Sequence, residues 1–288
     1  MNKLGLMARI DKKYNKMSKG QRLIADYIMI NYDKAAFMTA SKLGKTVGVS
    51  ESTVVRFANM LEYEGYPDQQ KALQELVRNK LTTVQRLEMT TDLDKTTVLK
   101  NVLKADMNNI RSTINSVDDV VFEQVVNKIL AAKNIYILGL RSTAPIAEFM
   151  GYYLNLILSN VRVVTSGIND VLEQLIHISK DDLLIAISFP RYASRAVDAI
   201  GFSKNRGAST VTITDSHVSP LATYADYCLL AKSDMASFVD SLVAPLSLIN
   251  ALVVAVGIFS DSDISTYFNE LEKIWDMYSV YKDKEKND

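Results

Sequence analysis

The feature that most limits the fold of this chain is a change of texture near residue 134. Before that point apolar residues recur at helical spacing almost throughout, and after it short β-branched runs alternate with helical patterns. Residues 135–138, 161–164, 183–187, 210–214 and 227–230 read as five strands. Residues 145–158, 170–178 and 192–204 read as the helices between them, and 239–259 and 264–278 as closing helices. Strands that are apolar along nearly their whole length imply a parallel sheet covered on both faces. The expected fold class is therefore an all-α N-terminal domain joined to an α/β domain, a five-stranded parallel sheet in an αβα sandwich.

Within the helical half, Ser18 reads as an N-cap for a helix that presents Leu23, Ile24, Tyr27 and Ile28 on one face. Further apolar patterns follow at Ala40, Leu43 and Val47, at Val54 to Leu61, and at Leu73 to Val77. Residues 81–93 are Thr-rich and weakly patterned, and helices are expected over 96–116 and 118–131. The expected domains are 1–80, a linker with a connecting helix over 81–117, and 118–288.

Charge separates the two halves. The chain of 288 residues holds 33 basic and 33 acidic side chains, but residues 1–80 carry 14 basic and 8 acidic groups, a surplus of six that the remainder offsets. Lys3, Arg9, Lys12, Lys13, Lys16, Lys19 and Arg22 face only Asp11. Such asymmetry marks either a polyanion-binding end or a solvated helix face. A single Cys excludes a disulfide framework and a Cys-rich metal site, and it suits the cytoplasm. The run from Leu4 to Ala8 is too short for a signal-peptide core. The most apolar stretch, 241–259, is interrupted by Pro245, Ser247 and Asn250 and lacks Lys or Arg anchors, so it reads as a buried helix.

The most informative stretch is 40–61. A short helix reaches Gly48, where a glycine accepts the positive φ of a sharp turn. Val49 is apolar, and Ser50 opens the next helix with Ser52 and Thr53 in its first turn. This is the pattern of a helix-turn-helix. Ser52, Thr53 and Arg56 would face base edges in the major groove of double-stranded DNA, while Ser50, Lys42, Lys45 and Thr46 would meet phosphates. An ordinary αα-hairpin matches the same short pattern. Helix-turn-helix proteins bind paired half-sites, so a homodimer or higher oligomer is expected.

In an open parallel sheet, ligands sit beyond the carboxyl ends of the strands where strand order reverses. If the order is 2-1-3-4-5, the loops after the first and third strands meet. Ser142, Thr143, Ser188 and Ser194 would then line one cleft, with Arg141 and Arg191 as charged clamps for a small anionic metabolite. Ordinary loop hydroxyls and surface arginines are the plain alternative. No Walker-type phosphate loop is present, two His and one Cys make no convincing metal set, and no cofactor is expected. An isomerase acting on a phosphosugar is the competing function, with His177, His217 and Glu148 as candidate bases, each of which also reads as structural or surface.

The whole chain resembles RpiR-type bacterial transcriptional regulators, which join a helix-turn-helix to a sugar isomerase (SIS) domain. The resemblance rests on residues 49–57, Glu64-Gly65-Tyr66-Pro67, the loop after the first strand, Ile187-Ser188, Ile213-Thr214-Asp215, residues 219–222 and Ala225-Asp226. It implies a SIS domain that dimerises and senses a sugar phosphate to alter operator binding. Two departures stand out. Where the family has Gly-x-Gly-Ser-Ser, this chain has Arg141 at the second Gly and Thr143 at the last Ser. Where the family has Ser-x-Ser-Gly-x-Thr, it has Ser188-Phe189-Pro190-Arg191-Tyr192-Ala193. Pro190 removes a hydroxyl and a backbone N–H, while the two arginines add forked cations that would also suit an acidic sugar or a carboxylate.

Overall fold

A computed structural model describes residues 6–80, 83–84, 95–235, 238–260 and 264–281. Lys3, most of the expected linker segment 81–93 and the charged tail 282–288 lie outside the described residues. Tertiary contacts divide the chain into two compact units, residues 1–91 and 92–288.

The first unit is helical: α1 (Leu6–Lys13), α2 (Lys19–Ile30), α3 (Tyr32–Ala35), α4 (Ala40–Val47), α5 (Glu51–Met60) and α6 (Tyr66–Lys80). Local chemistry sets the boundaries. Ser18 accepts from the Gln21 amide while the Gln21 side chain returns to the Ser18 N–H, a reciprocal cap that starts α2 as expected. Thr39 caps α4 and Ser50 caps α5, each worth about 1 kcal/mol. Gly48 ends α4 at φ 76°, the left-handed turn that the sequence requires of it. Ile10, Ile24, Ile28, Leu43, Val54, Phe57 and Leu61 are fully buried between these helices. Truncating a ring in such a core, as in Phe57→Ala, costs about 3–5 kcal/mol.

The second unit opens with α7 (Val98–Ile114) and α8 (Asp119–Ala131). Five strands follow, β1 (Ile135–Gly139), β2 (Val161–Val164), β3 (Leu183–Ile187), β4 (Ser209–Thr214) and β5 (Tyr227–Leu230). Between and after them lie α9 (Ala144–Asn155), α10 (Val171–Gln174), α11 (Ser194–Asn205), α12 (Val243–Phe259) and α13 (Ile264–Met277). The sheet is all parallel in the order β2-β1-β3-β4-β5. Successive strand residues point to opposite faces, and the central strands β1 and β3 are buried along their whole length on both. Ile135, Ile137, Ile185 and Ile187 pack with α8, α9 and α12, whereas Tyr136, Leu138, Leu184 and Ala186 pack with α10 and α11. This is the expected αβα sandwich. The expected apolar helix near 241–259 is α12, whose Leu248, Ile249, Leu252 and Val256 lie in the core. Among the described residues no helix is long and apolar enough to cross a membrane.

Several helices are shorter than their patterns: α7 spans 98–114 rather than 96–116, α9 ends at Asn155 rather than 158, and two more show why in their hydrogen bonds. The helix expected over 170–178 stops at Gln174, because the amides of Ile176 and Ile178 turn back to Glu173 and Leu175 in tight i to i−3 bonds. The helix expected from 239 begins at Val243. Ser241 instead donates its hydroxyl to Asp106 on α7, and Pro245 falls in the first turn of α12, where its missing N–H costs nothing.

Candidate functional site

In the first unit, the angle between α4 and α5 is closed by the Val49 N–H donating to the Gly44 carbonyl at 2.8 Å. The Ser50 hydroxyl lies 2.9 Å from the hydroxyls of both Ser52 and Thr53, so the first turn of α5 is a linked hydroxyl cluster. Ser52 and Arg56 are exposed one turn apart, with Arg56 Nε donating to the Ser52 carbonyl at 3.3 Å. Lys42, Lys45 and Thr46 are exposed on α4, Thr46 bonding back to the Lys42 carbonyl. The sequence-derived candidates thus share the two helices of one motif. Ser52 and Arg56 form an open face fit to meet a base edge.

Part of the basic surplus has another task. Arg9 Nη1 donates to the carbonyls of Leu61 and Glu62 at 2.9 and 3.2 Å, and Lys13 Nζ donates to the Met60 carbonyl at 2.7 Å. These carbonyls lie at the C-terminal end of α5, where cations complement the helix dipole. Lys13 also pairs with Glu62, whose carboxyl it holds below the usual range through their hydrogen bond. Arg9 stacks over Tyr63, its guanidinium carbon 4.6 Å from the ring centroid. Two residues of the basic run that the sequence left open between a polyanion-binding end and a solvated helix face therefore brace the far end of α5.

In the second unit, the strand order puts β1 beside β3, with Gly139 in register with Ile187. Beyond this junction lies an open cleft of about 450 Å³ lined by Arg141, Ser142, Thr143, Ser188, Arg191 and Ser194 together with Pro190, Tyr192 and Asp240. All six residues expected at the cleft are at one place. The exposed Arg141 and Arg191 supply charge, and Ser194 opens α11, whose N-cap Ala193 has no side chain to satisfy the first amides. Thr143 is 4% exposed, and its hydroxyl accepts from the Leu140 N–H at 3.0 Å. The same hydroxyl lies 2.9 Å from the Leu140 carbonyl and 3.0 Å from that of Ile187, so it ties the two loops together. Gly139 permits this closeness: a Cβ there would sit 2.6 Å from the Thr143 carbonyl oxygen and 2.5 Å from the Ala147 Cβ.

Tyr192 donates its hydroxyl to Asp215 at 2.7 Å, anchoring the β3 loop to the end of β4. Asp240 arrives from beyond β5, and no motif in the sequence singles it out. Of the candidate bases, Glu148, His177 and His217 are exposed and none lines the cleft; His177 stands in the turn after α10 rather than on a helix. Cys228 has its thiol pushed up to about 11 by burial and by the Asp215 charge. Among the described residues no cluster of His, Cys, Asp and Glu could hold a metal ion.

Comparison with known proteins agrees with both halves of this geometry. Residues 4–80 match the helix-turn-helix domain of the rpiR family, and residues 128–255 match the SIS domain. The chain belongs to the RpiR family of transcriptional regulators. It is 28% identical over 229 residues to a helix-turn-helix-type transcriptional regulator of Haemophilus influenzae, covering 78% of this chain and 79% of that one. The sugar isomerase domain of an RpiR transcription factor from Sphaerobacter thermophilus is 26% identical and superposes with a TM-score of 0.59, covering 62% of this chain and 99% of that domain. The Vibrio vulnificus NanR protein, in complex with ManNAc-6P, shares the fold at 20% identity and a TM-score of 0.58, over 97% of this chain and 100% of that one. Within the loops that line the cleft, Arg141 lies at φ 58° and Arg191 at φ 65°, left-handed conformations that glycine adopts most readily.

Proposed function

We propose that this regulator binds double-stranded DNA through α4 and α5 and that an anionic metabolite in the β1/β3 cleft modulates operator binding. The observation that carries the reading is the convergence of two arginines and the hydroxyls of Ser142, Ser188 and Ser194 at the strand-order reversal of a chain that also holds a helix-turn-helix. Guanidinium forks, hydroxyls and a helix N-terminus are the groups that recognise phosphate or carboxylate. The fold likeness to NanR, which holds ManNAc-6P, supports a sugar phosphate or acidic sugar as the anion. The chain acts as a homodimer or higher oligomer on paired half-sites. Leu99, Leu103, Met107 and Ile114 on α7 and Ile258 and Phe259 on α12 leave apolar surface of the kind that partners cover.

The test has two arms on the full-length protein. Duplexes enriched by the protein from a random-sequence pool should yield a consensus of two half-sites, bound with an affinity that falls steeply with salt. Thermal denaturation with sugar phosphates, acidic sugars and small dicarboxylates should show stabilisation by an anion, lost in Arg191→Ala. No enrichment of any sequence refutes the DNA arm, and stabilisation by neutral sugars alone refutes the cleft.

A further inference from the structure

Helix α13 carries an apolar face that its own chain leaves open. Tyr267, Phe268, Leu271, Ile274, Trp275 and Tyr278 follow three- and four-residue steps and share about a third of the helix circumference. Leu271 and Trp275 are half-buried, but Tyr267, Phe268, Ile274 and Tyr278 are exposed. Carboxylates border this face, Glu270 along one edge and Glu272 and Asp276 along the other, while Lys273 lies on the back. A surface helix ordinarily turns such a stripe into its core, and a contiguous apolar patch left in water marks a contact site.

Helix α7 offers the complementary surface. Its Asn109 and Thr113 are buried against the fold, and beside them Leu99, Leu103, Met107 and Ile114 form a second exposed stripe. Lys100, Lys104 and Arg111 are exposed in a row along the outer edge of that stripe. Towards its C-terminal end α7 borders an open apolar groove of about 410 Å³, lined by Ile110, Ile114, Phe122 and Leu248, with room for an aromatic side chain. The charges match as well: α7 holds three cations and one carboxylate, and α13 three carboxylates and one cation. So do the lengths, about 26 Å for the 17 residues of α7 and about 21 Å for the 14 residues of α13.

We infer that α13 of one protomer lies along α7 of a second copy of this chain, its apolar face on the Leu99 to Ile114 stripe and its carboxylates beside Lys104 and Arg111. A second copy is the occupant because each chain carries both halves of the fit and covers neither with the other. About a two-fold axis each copy gives one helix and receives one, so the buried area doubles. Two α13 helices do not suit each other, since pairing them would bring like carboxylates together. An anionic bilayer repels the same carboxylates. The inference deepens the reading of the chain as an oligomer on paired half-sites and rests on it.

Sedimentation velocity of the full-length protein over a range of concentrations tests it with two charge reversals. One variant combines Glu272→Lys with Asp276→Lys, and the other combines Lys104→Glu with Arg111→Glu. All four positions are exposed, so both variants should keep the circular dichroism of the wild type. Each alone should self-associate at least tenfold more weakly than the wild type, because both reciprocal contacts then set like charges together. An equimolar mixture of the two should associate as tightly as the wild type, since in the mixed dimer one contact is wholly reversed and the other wholly native. A helix packed on its own chain gives no such rescue, as each chain keeps its own mismatch. Wild-type association in either variant alone, or a mixture as weak as its components, overturns the inference, and a wild type that still dimerises then leaves the oligomer reading standing. A wild type that is monomeric throughout the range removes both.

Discussion

Arg141 and Arg191 share an unusual backbone conformation, with φ of 58° and 65°, and both line the same cleft from loops on neighbouring strands. A left-handed residue with a Cβ costs about 1 kcal/mol or more, and glycine relieves that cost. The chain therefore carries strain at two positions that each place a cation at the cleft.

Stability and ligand binding should then move in opposite directions. Arg141→Gly and Arg191→Gly should each raise the free energy of unfolding in urea by about 1 kcal/mol. Each should also weaken binding of the anion about tenfold, the worth of one charge-assisted hydrogen bond. A variant that loses stability as well as affinity would show that the arginine packs rather than clamps.

Acid should loosen the second unit from its strand entrances. Asp182 is buried at the start of β3 and receives Asn134 Nδ2 at 2.7 Å and the Ser179 N–H and hydroxyl at 2.7 and 2.8 Å. Burial alone would raise its pKa, but these donors outweigh it and hold the carboxyl below its ordinary value. Asp226 behaves in the same way, with Lys204 and Thr210 as donors. A depressed folded-state pKa gives stability that is complete above the unfolded value and is lost as pH falls through the folded one. The urea midpoint should hold from neutral pH down to about 5 and drop below about 4. Asp182→Asn should be less stable at neutral pH and should fall less steeply in acid.

How much of this was readable without coordinates follows from which forces are local. The five strands came from apolar runs, and the requirement that both sheet faces be covered made the sheet parallel; the meeting of the β1 and β3 loops followed only once the order 2-1-3-4-5 was supposed, and the structure has that order. The helix-turn-helix came from Gly48 and Ser50, whose conformational and capping roles act within a few residues. Asp240 was out of reach because its neighbour Ser241 is held by Asp106 on α7, 135 residues earlier in the chain. The task of Arg9 and Lys13 was unreadable for a similar reason. Their partners are backbone carbonyls at the end of α5, which carry no side-chain signature. Thr143 lies between these cases: its place at the cleft was readable, but the engagement of its hydroxyl with two carbonyls was not.

The helical unit contains one buried group out of keeping with its surroundings. Gln69 is 1% exposed, and within the described residues neither its side-chain oxygen nor its nitrogen is hydrogen-bonded. Its neighbours Gln70 and Tyr66 both find the Met38 carbonyl, at 2.9 and 2.6 Å. An unpaired buried amide costs about 1–3 kcal/mol, so Gln69→Leu should stabilise the unit by an amount of that order in thermal or urea unfolding. A loss of stability would mean that the amide has a partner in solution.

The two kinds of basic residue around α5 should separate cleanly in DNA binding. Arg56 stands exposed one turn from Ser52, so Arg56→Ala should cost about 1–3 kcal/mol on the preferred duplex and much less on random duplexes, relaxing specificity. Lys45 is exposed on α4, and Lys45→Ala should weaken all duplexes alike and reduce the slope of log affinity against log salt by about 1. Lys13 spends its ammonium on the Met60 carbonyl and Glu62, so Lys13→Met should lower the unfolding free energy and leave the salt slope unchanged. Anisotropy titrations at several salt concentrations, paired with urea unfolding, read both quantities. A reduced salt slope in Lys13→Met would place that residue on the DNA and return its share of the basic surplus to phosphate binding.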